Sequence, residues 1–199
     1  MAQIVVPFRG ESAKQRLDVP DDMREKLALA MLGDVLAATV ATGRTLLVTG
    51  DAAAHALAEE LGAETVDDPG GGQGAAVEAA LQRADNGTVL VVNADVPCVV
   101  PHDLRTLAGT ADLGALGLVE GTDGTTNALA LPRASLFAPL YGGGSAARFR
   151  DHAKAHGVSA VSAVIPNLTD DVDTLEDLHR VAFRAGPRTQ AALGRVVVR

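Results

Sequence analysis

The feature that most restricts the fold of this chain is a regular alternation of short apolar runs with longer segments of helical periodicity. Ile4-Val5-Val6 is a strand-length run, and apolar residues recur at helical spacing between Asp21 and Ala41. The run from Thr88 to Val92 is apolar on both faces, which is typical of a central strand in a parallel sheet. The alternation predicts a mostly parallel sheet covered by helices on both faces, a three-layer α/β/α fold in a single domain over residues 1–199.

The same patterns give approximate bounds for the other elements. Short apolar pieces lie at 45–49, 64–66, 113–119, 128–131 and 160–165, and segments of helical type lie at 51–61, 145–156 and 175–183. Two more helices are expected, one that follows a glycine-rich loop as far as Leu81 and one that begins near Pro101. A last apolar run, 196–198, closes the chain. Periodicity does not give the order of the strands in the sheet.

The composition argues against several classes of partner. A net charge of −8 is unfavourable for broad binding to nucleic acid or to an anionic membrane. It is compatible with a small anionic substrate, because Arg9, Lys14 and Arg16 form a local basic cluster. The apolar runs are too short to span a membrane, the N-terminus lacks the pattern of a signal peptide, and Cys98 has no second cysteine to pair with. We therefore expect a cytoplasmic protein with no nucleic-acid or membrane partner.

Asp95 is the first candidate for chemistry, because it follows the most apolar run of the chain. Open α/β sheets bind ligands at the carboxyl ends of their strands, so this carboxylate is expected at the likeliest binding edge. Mg²⁺ prefers oxygen ligands and is usually held by one or two carboxylates together with substrate phosphates. The alternative is an aspartate that caps the helix near Pro101, and spacing alone does not separate the two.

A second acidic segment, Asp171-Val172-Asp173, follows the apolar piece at 160–165. If this segment is extended, its two carboxylates project to the same side and form a credible pair of metal ligands. The alternative is again structural, since Asp173 and Glu176 have the spacing of a capping box at a helix start. Both roles are compatible, because a cap occupies one carboxylate oxygen.

Two glycine-rich segments are candidates for binding anions. Gly70 to Gly74 lies between a predicted strand and a predicted helix, where backbone N–H groups can bind phosphate. It does not follow the first strand, as a dinucleotide fingerprint would, and it is no P-loop. Gly142 to Ser145 leads into a helix with Arg148 and Arg150, an arrangement that suits an anion pocket with Ser145 as the capping hydroxyl. Either segment could also be a simple connector or turn.

In their order along the chain, these motifs resemble those of the guanylyltransferases that make the guanosine-diphospho donor for the deazaflavin coenzyme F420. More distantly they resemble the molybdenum-cofactor guanylyltransferases and the sugar nucleotidyltransferases. The matching segments are Ala13-Lys14-Gln15-Arg16-Leu17, Asn93-Ala94-Asp95-Val96-Pro97, Gly124-Thr125-Thr126-Asn127-Ala128-Leu129, Gly142 to Ser145 with Arg148, and Asp171-Val172-Asp173-Thr174. The resemblance implies a Rossmann-like fold of the nucleotide-diphospho-sugar transferase type.

The resemblance also implies a role for individual residues. It places Mg²⁺ on Asp95, Asp171 and Asp173, catalytic side chains at Asp95, Arg9 and Lys14, an acid-binding site at Thr126, Gly142, Ser145 and Arg148, and nucleotide-binding positions at Arg16, Gly70, Gly71, Gly72 and Gly74. Two positions depart from the family pattern. The chain has Phe8-Arg9 where such proteins often carry lysine, and Gly72-Gln73-Gly74 where the nucleotide loop usually has Gly-Leu-Asn.

The implied reaction joins GTP to a small phosphorylated carboxylic acid and releases pyrophosphate. A phosphate oxygen is already ionised at neutral pH, so no general base is needed, and none is conspicuous. The composition, rich in Ala and Arg with few Lys, is typical of actinobacterial genomes and favours phosphoenolpyruvate as the acceptor over 2-phospho-L-lactate. The other hypotheses are an oxidoreductase that binds a nicotinamide nucleotide at Gly70 to Gly74, and a non-catalytic nucleotide-binding regulator. A homodimer or the next enzyme of the pathway is a further expected partner.

Overall fold

The computed structural model describes residues 2–10, 17–85 and 87–197. The strands are β1 (Gln3–Pro7), β2 (Arg44–Thr49), β3 (Glu64–Asp67), β4 (Val89–Val92), β5 (Leu116–Glu120), β6 (Thr126–Leu131) and β7 (Ala160–Ser162). The helices are α1 (Asp21–Val40), α2 (Ala52–Leu61), α3 (Gln73–Leu81), α4 (Pro101–Asp112), α5 (Ser145–Ala155), α6 (Pro166–Thr169), α7 (Leu175–Val181) and α8 (Pro187–Val197). Among these described helices, none has both the length and the apolar character needed to cross a membrane.

The seven strands form one sheet in the order β3-β2-β1-β4-β6-β5-β7. β6 runs antiparallel to both of its neighbours, β4 and β5, and every other pair is parallel. As predicted, β4 is a central and fully buried strand. Because β6 is reversed, its first residues lie at the edge of the sheet where the parallel strands end.

Helices cover both faces of the sheet. Side chains alternate along β1, so that Ile4 and Val6 pack in one core while Val5 packs in the other. The first core includes residues of α1, α2, α4 and α6, and the second includes residues of α3 and α5. The three-layer, mostly parallel α/β/α fold predicted from the sequence is confirmed.

Most predicted bounds lie within one or two residues of the observed ones, and three segments differ more. The piece at 160–165 is a strand only as far as Ser162, because Pro166, which has no N–H for a strand partner, begins α6. The piece at 113–119 becomes a strand only at Leu116, since Gly114 adopts a φ of 81° in the turn after α4. In the last apolar run, residues 196 and 197 belong to α8, and residue 198 lies outside the described part of the chain.

A β-bulge interrupts the pairing of β5 with β6. Val119 lies opposite Ala128 and Glu120 lies opposite Thr126, so Asn127 is an extra residue with no counterpart in β5. Bulges turn neighbouring side chains to faces that a regular strand would not give them. Here Ala128 packs in the core that contains α6, and Asn127 also contacts the α6 side, whereas Thr126 contacts α5.

The C-terminal helix α8 is held by an aspartate in the middle of α1. The carboxylate of Asp34 is buried and accepts hydrogen bonds from the backbone N–H of Arg188 (3.0 Å) and of Thr189 (2.8 Å) in the first turn of α8. The first N–H groups of a helix have no partners within the helix, so this carboxylate acts as a distant cap. Gly186 allows the approach, since a Cβ atom there would lie 2.3 Å from Cγ of Asp34.

We expect Asp34→Ala to lower the free energy of unfolding by about 2–4 kcal/mol, because two hydrogen bonds to a buried carboxylate are lost together. Urea unfolding measures the effect. Asp22→Ala is the matched control, since Asp22 lies in the same helix, is exposed and pairs with Lys26 at 3.1 Å. Exposed pairs of this kind contribute less than about 1 kcal/mol. Equal losses in the two variants would contradict the capping role.

Candidate active site

A cleft of about 710 Å³ opens at the edge of the sheet where the parallel strands end. It is lined by the residues that follow β1 and β4, by the start of α3 with the loop before it, and by the segment that precedes α5. Asp95 lies in this lining, two residues beyond Asn93 at the end of β4. The predicted position of Asp95 at the carboxyl edge of the parallel strands is therefore correct.

Three carboxylates converge beside this cleft. One oxygen from each of Asp95, Asp171 and Asp173 can be chosen so that all three atoms lie within 4.8 Å of one another. The segment is held beside β4 because the N–H of Val172 donates to the carbonyl oxygen of Asp95 at 3.0 Å. Val172 is fully buried, which leaves its two neighbours to share the other side, as an extended backbone requires.

The structural alternatives considered for these aspartates are wrong. The first turn of α4 is closed by Asp103, whose carboxylate accepts from the N–H of Val100 at 3.0 Å, so Asp95 is not its cap. The capping box of α7 is formed by Thr174 and Asp177, one residue further along than the predicted Asp173 and Glu176. Thr174 has the extended backbone of a cap residue, and its hydroxyl accepts from the N–H of Asp177 at 3.2 Å.

Contacts from α7 and from Arg184, which follows it, fix the acidic segment at both ends. Asp170 forms an ion pair with Arg184, and a longer one of 3.8 Å with Arg180. At the other end, the carboxylate of Asp177 accepts from the backbone N–H of Asp173 (3.2 Å) and of Thr174 (2.9 Å). These contacts fix the backbone of the segment, and the fixed backbone holds its carboxylates in position.

The three carboxylates create a concentration of negative charge. The pKa of Asp171 is raised to about 6, first because the carboxyl group is buried and then because Asp95 and Asp173 are close, while a hydrogen bond from Asn127 acts in the opposite direction. A hard divalent cation such as Mg²⁺ prefers oxygen ligands of this kind and would offset the repulsion. The donor set and its electrostatics therefore fit a divalent cation.

Two buried hydroxyls lie between β6 and α5, and neither residue is part of the cleft lining. Oγ1 of Thr126 and Oγ of Ser145 are 3.0 Å apart, and both residues are almost completely buried. Ser145 is the first residue of α5 and not its cap. The cap position is occupied by Gly144 in a left-handed conformation, with a φ of 69°. The predicted capping role of Ser145 is therefore wrong, because its hydroxyl contacts β6 instead.

Arg148 and Arg150, expected beside an anion pocket, make structural contacts. The guanidinium of Arg148 donates to the carbonyl oxygens of Leu140 (2.9 Å), Tyr141 (3.2 Å) and Gly143 (2.6 Å). Arg150 forms an ion pair with Glu120. Arg148 thus holds the loop that carries Gly142 into the lining of the cleft.

The glycine-rich loop before α3 reaches the cleft as predicted. Gly71, Gly72 and Gly74 line it together with Gln73, whereas Gly70 is not part of the lining. Gly72 has a φ of 106°, and a Cβ atom there would lie 2.9 Å from Nη2 of Arg9, which also lines the cleft. The loop, the N-terminus of α3 and the guanidinium of Arg9 are therefore adjacent, an arrangement suited to binding phosphate.

Lys14 and Arg16, the other basic residues of the prediction, lie outside the described residues.

Four other residues of the site were assigned no role from the sequence. Gln73 donates to Oδ1 of Asn93 at 2.7 Å, and Asn93 donates to the carbonyl oxygen of Thr126 at 3.3 Å. Tyr141 lines the cleft, and its ring packs against Phe149. Asn127, quoted only as part of a motif, contacts Asp171. Only their position in the sequence next to predicted site residues could have identified them, because uncharged side chains form no acidic or basic pattern.

Comparison with known proteins gives a consistent family. The family model for guanylyl transferase CofC-like proteins matches residues 2–192. A protein from Geodermatophilus obscurus named phosphoenolpyruvate guanylyltransferase is 36% identical over 183 residues, which cover 89% of this chain and 83% of the relative. A protein of the same name from Streptomyces scabiei is 32% identical over 212 residues, covering 98% of this chain and 97% of the relative.

Solved structures support the fold. A protein from Desulfovibrio desulfuricans, described as a nucleotide-diphospho-sugar transferase, superposes with a TM-score of 0.79 at 16% identity, covering 98% of this chain and 94% of the other. A 4-diphosphocytidyl-2C-methyl-D-erythritol synthase gives a TM-score of 0.63 at 15% identity, with coverages of 92% and 97%. The fold type implied by the sequence resemblance is confirmed. By the match along nearly its whole length, the chain belongs to the guanylyl transferase CofC-like family.

Proposed function

We propose that the protein transfers GMP from GTP to phosphoenolpyruvate, which gives enolpyruvyl-diphospho-guanosine and pyrophosphate. The observation that carries this proposal is the trio of carboxylates beside a cleft that also contains the glycine-rich loop and Arg9. The names of relatives that match nearly the whole chain support the choice of substrates. In this reaction a phosphate oxygen of the acid forms a bond to the α-phosphorus of GTP, and the bond from that phosphorus to the bridging oxygen breaks.

We propose that Mg²⁺ is the cofactor and that Asp95, Asp171 and Asp173 hold it. When bound, such an ion neutralises phosphate oxygens and aligns the attacking and leaving groups. The protein supplies the position of the carboxylates through Val172 and the contacts from α7. An ionised phosphate is the nucleophile, so no residue is required to remove a proton, and positioning with charge stabilisation carries most of the rate enhancement.

The two substrates are assigned to different residues of the site. Arg9 and the loop Gly71 to Gly74 suit the phosphates of GTP, and Lys14, Arg16 and Gly70 remain predicted contributors on that side. We assign the acid to Gly142 in the cleft lining and to the buried hydroxyls of Thr126 and Ser145, because the N–H of Ser145 donates to the carbonyl oxygen of Gly142 at 3.0 Å. Arg148 supports the acid site by holding the carbonyl groups around Gly142.

The test is pyrophosphate release with GTP and Mg²⁺ in the presence of phosphoenolpyruvate, of 2-phospho-L-lactate, or of no acceptor. We expect the highest rate with phosphoenolpyruvate. A higher rate with 2-phospho-L-lactate would change the acceptor and leave the reaction class intact. Equal and negligible rates in all three would contradict the proposed enzyme. Family membership disfavours the hypothesis of a nicotinamide-dependent oxidoreductase. The homodimer, the pathway partner and the cytoplasmic location remain predictions.

Tyr141 offers a direct probe of acid binding. It is the only tyrosine of a chain that has no tryptophan, and it lines the cleft next to Gly142. We expect saturable changes in tyrosine emission when phosphoenolpyruvate is added with Mg²⁺, because ligand in the cleft changes the surroundings of the ring. Tyr141→Phe is the control and should give no signal. Constant emission at acid concentrations that saturate turnover would contradict the placement of the acid beside Gly142.

A further inference from the structure

Asn127 makes two contacts that point to a function beyond packing. Its side chain is almost completely buried, with 1% of its surface exposed. The amide nitrogen Nδ2 donates to the carbonyl oxygen of Thr169 at 3.0 Å and to Oδ1 of Asp171 at 3.2 Å. One amide group therefore binds both the end of α6 and the carboxylate two residues later.

The remaining atoms of the amide suit this role. Both hydrogens of an NH₂ group are used by the two bonds, so the orientation of the amide plane is fixed. Its oxygen is buried and accepts no hydrogen bond from any residue in the described ranges, a cost that a purely structural amide would not ordinarily carry. Gly121 leaves room for the amide, since a Cβ atom there would lie 3.1 Å from this oxygen.

The bulge in β6 explains how Asn127 reaches the acidic segment. As the extra residue between the positions paired with Val119 and Glu120, Asn127 is turned to the α6 side of the sheet together with Ala128. Its carbonyl oxygen also accepts from the N–H of Asn93 at 2.9 Å, which ties it to the end of β4. Asn127 is thus anchored to the strand that leads to Asp95 and bonded directly to Asp171.

We propose that Asn127 is a positioning residue that holds the Asp171 carboxylate ready to bind a divalent cation. This inference rests on the proposed function, because it assumes that Asp95, Asp171 and Asp173 hold that cation. Partners that orient a metal ligand typically contribute a factor of about 10–100 to metal affinity. A neutral amide is suited to the position, since it donates to the carboxylate without adding a fourth negative charge.

The test compares Asn127→Leu with Gln3→Leu by Mn²⁺ titration, with free Mn²⁺ measured by electron paramagnetic resonance in the absence of substrates. Gln3 is a matched control, because it is a buried strand amide at the opposite edge of the sheet with two hydrogen bonds to Asp85, of 3.0 and 2.9 Å. We expect both variants to unfold at lower urea concentration. Only Asn127→Leu should weaken Mn²⁺ binding, by about tenfold or more.

Turnover supplies an independent readout. In Asn127→Leu the Mg²⁺ concentration for half-maximal pyrophosphate release should rise by a similar factor, while the KM for phosphoenolpyruvate at saturating Mg²⁺ stays near that of the wild type. Asn127→Thr, whose hydroxyl is too short to span both bonds, serves if the leucine variant does not fold and should show the same weakening.

The outcomes separate this inference from the proposed function. If wild type binds Mn²⁺ and releases pyrophosphate while the Asn127 variants bind Mn²⁺ equally well, Asn127 is only structural and the inference fails alone. If wild type itself binds no Mn²⁺, the metal assignment fails and the inference fails with it.

Discussion

Replacing Asp95 with asparagine should reduce pyrophosphate release from GTP and phosphoenolpyruvate by about a hundredfold or more while the fold is retained. Asparagine has the shape of aspartate, and the backbone carbonyl oxygen of residue 95 still accepts from Val172. The substitution removes one of three carboxylates whose oxygens lie within 4.8 Å of one another. Steady-state rates over a range of Mg²⁺ concentrations, together with urea unfolding, measure the two expectations separately.

Asp112→Asn is the control for the removal of one carboxylate charge. Asp112 is exposed at the end of α4 and accepts from the hydroxyl of Thr88 at 3.1 Å, at the edge of the sheet opposite the cleft. Its turnover should match that of the wild type. Undiminished activity in Asp95→Asn would show that Asp95 is structural, and the carboxylate trio would then lose its assigned role.

Asp171→Asn is expected to make the metal-free protein more stable at neutral and alkaline pH while it abolishes most turnover. The pKa of Asp171 is raised from an ordinary 3.8 to about 6, so the folded state holds its proton to higher pH than the unfolded state does. Stability is therefore lost as pH rises through about 6, by up to about 3 kcal/mol when the group is fully ionised. Asparagine removes this cost and retains an oxygen that accepts the bond from Asn127.

Urea unfolding in the presence of a chelator at pH 5 and at pH 8 measures this effect. The advantage of Asp171→Asn over the wild type should grow between the two values. Added Mn²⁺ should stabilise the wild type more than the variant, because the cation offsets the repulsion only where the carboxylate is present. A constant difference between the two proteins across this pH range would contradict the origin given for the raised pKa.

The layered fold was predictable because it depends on local pattern. Buried strands such as β4, and segments with apolar residues at helical spacing such as α1, are each visible within a short window. The reversal of β6 was not predictable, since a strand buried on both faces has the same apolar composition in either direction. The bulge at Asn127 was also hidden, because it is defined by the partner strand and leaves no mark in the sequence.

The parts of the candidate site formed by charged residues and glycines were predictable from the sequence. Asp95, Asp171 and Asp173 stand out beside apolar segments, and glycines identify the loop before α3. Asn127 did not stand out, since its importance arises from a contact with a residue 44 positions away. The capping of α7 was misplaced by one residue, because Thr174 and Asp177 satisfy the same spacing rule as Asp173 and Glu176. Local spacing did not decide between these two pairs.

The bulge in β6 affects how the proposed acid site and the acidic segment are positioned relative to each other. Thr126 contacts the proposed acid site and Asn127 contacts the acidic segment, so neighbouring residues serve opposite faces of the sheet. Their Cα atoms are joined by a single peptide unit and are fixed about 3.8 Å apart. Covalent geometry therefore fixes the distance between the backbone of the proposed acid site and that of the residue bonded to the proposed metal ligand Asp171. Substitutions elsewhere in the core can shift helices without changing the distance between the Cα atoms of Thr126 and Asn127.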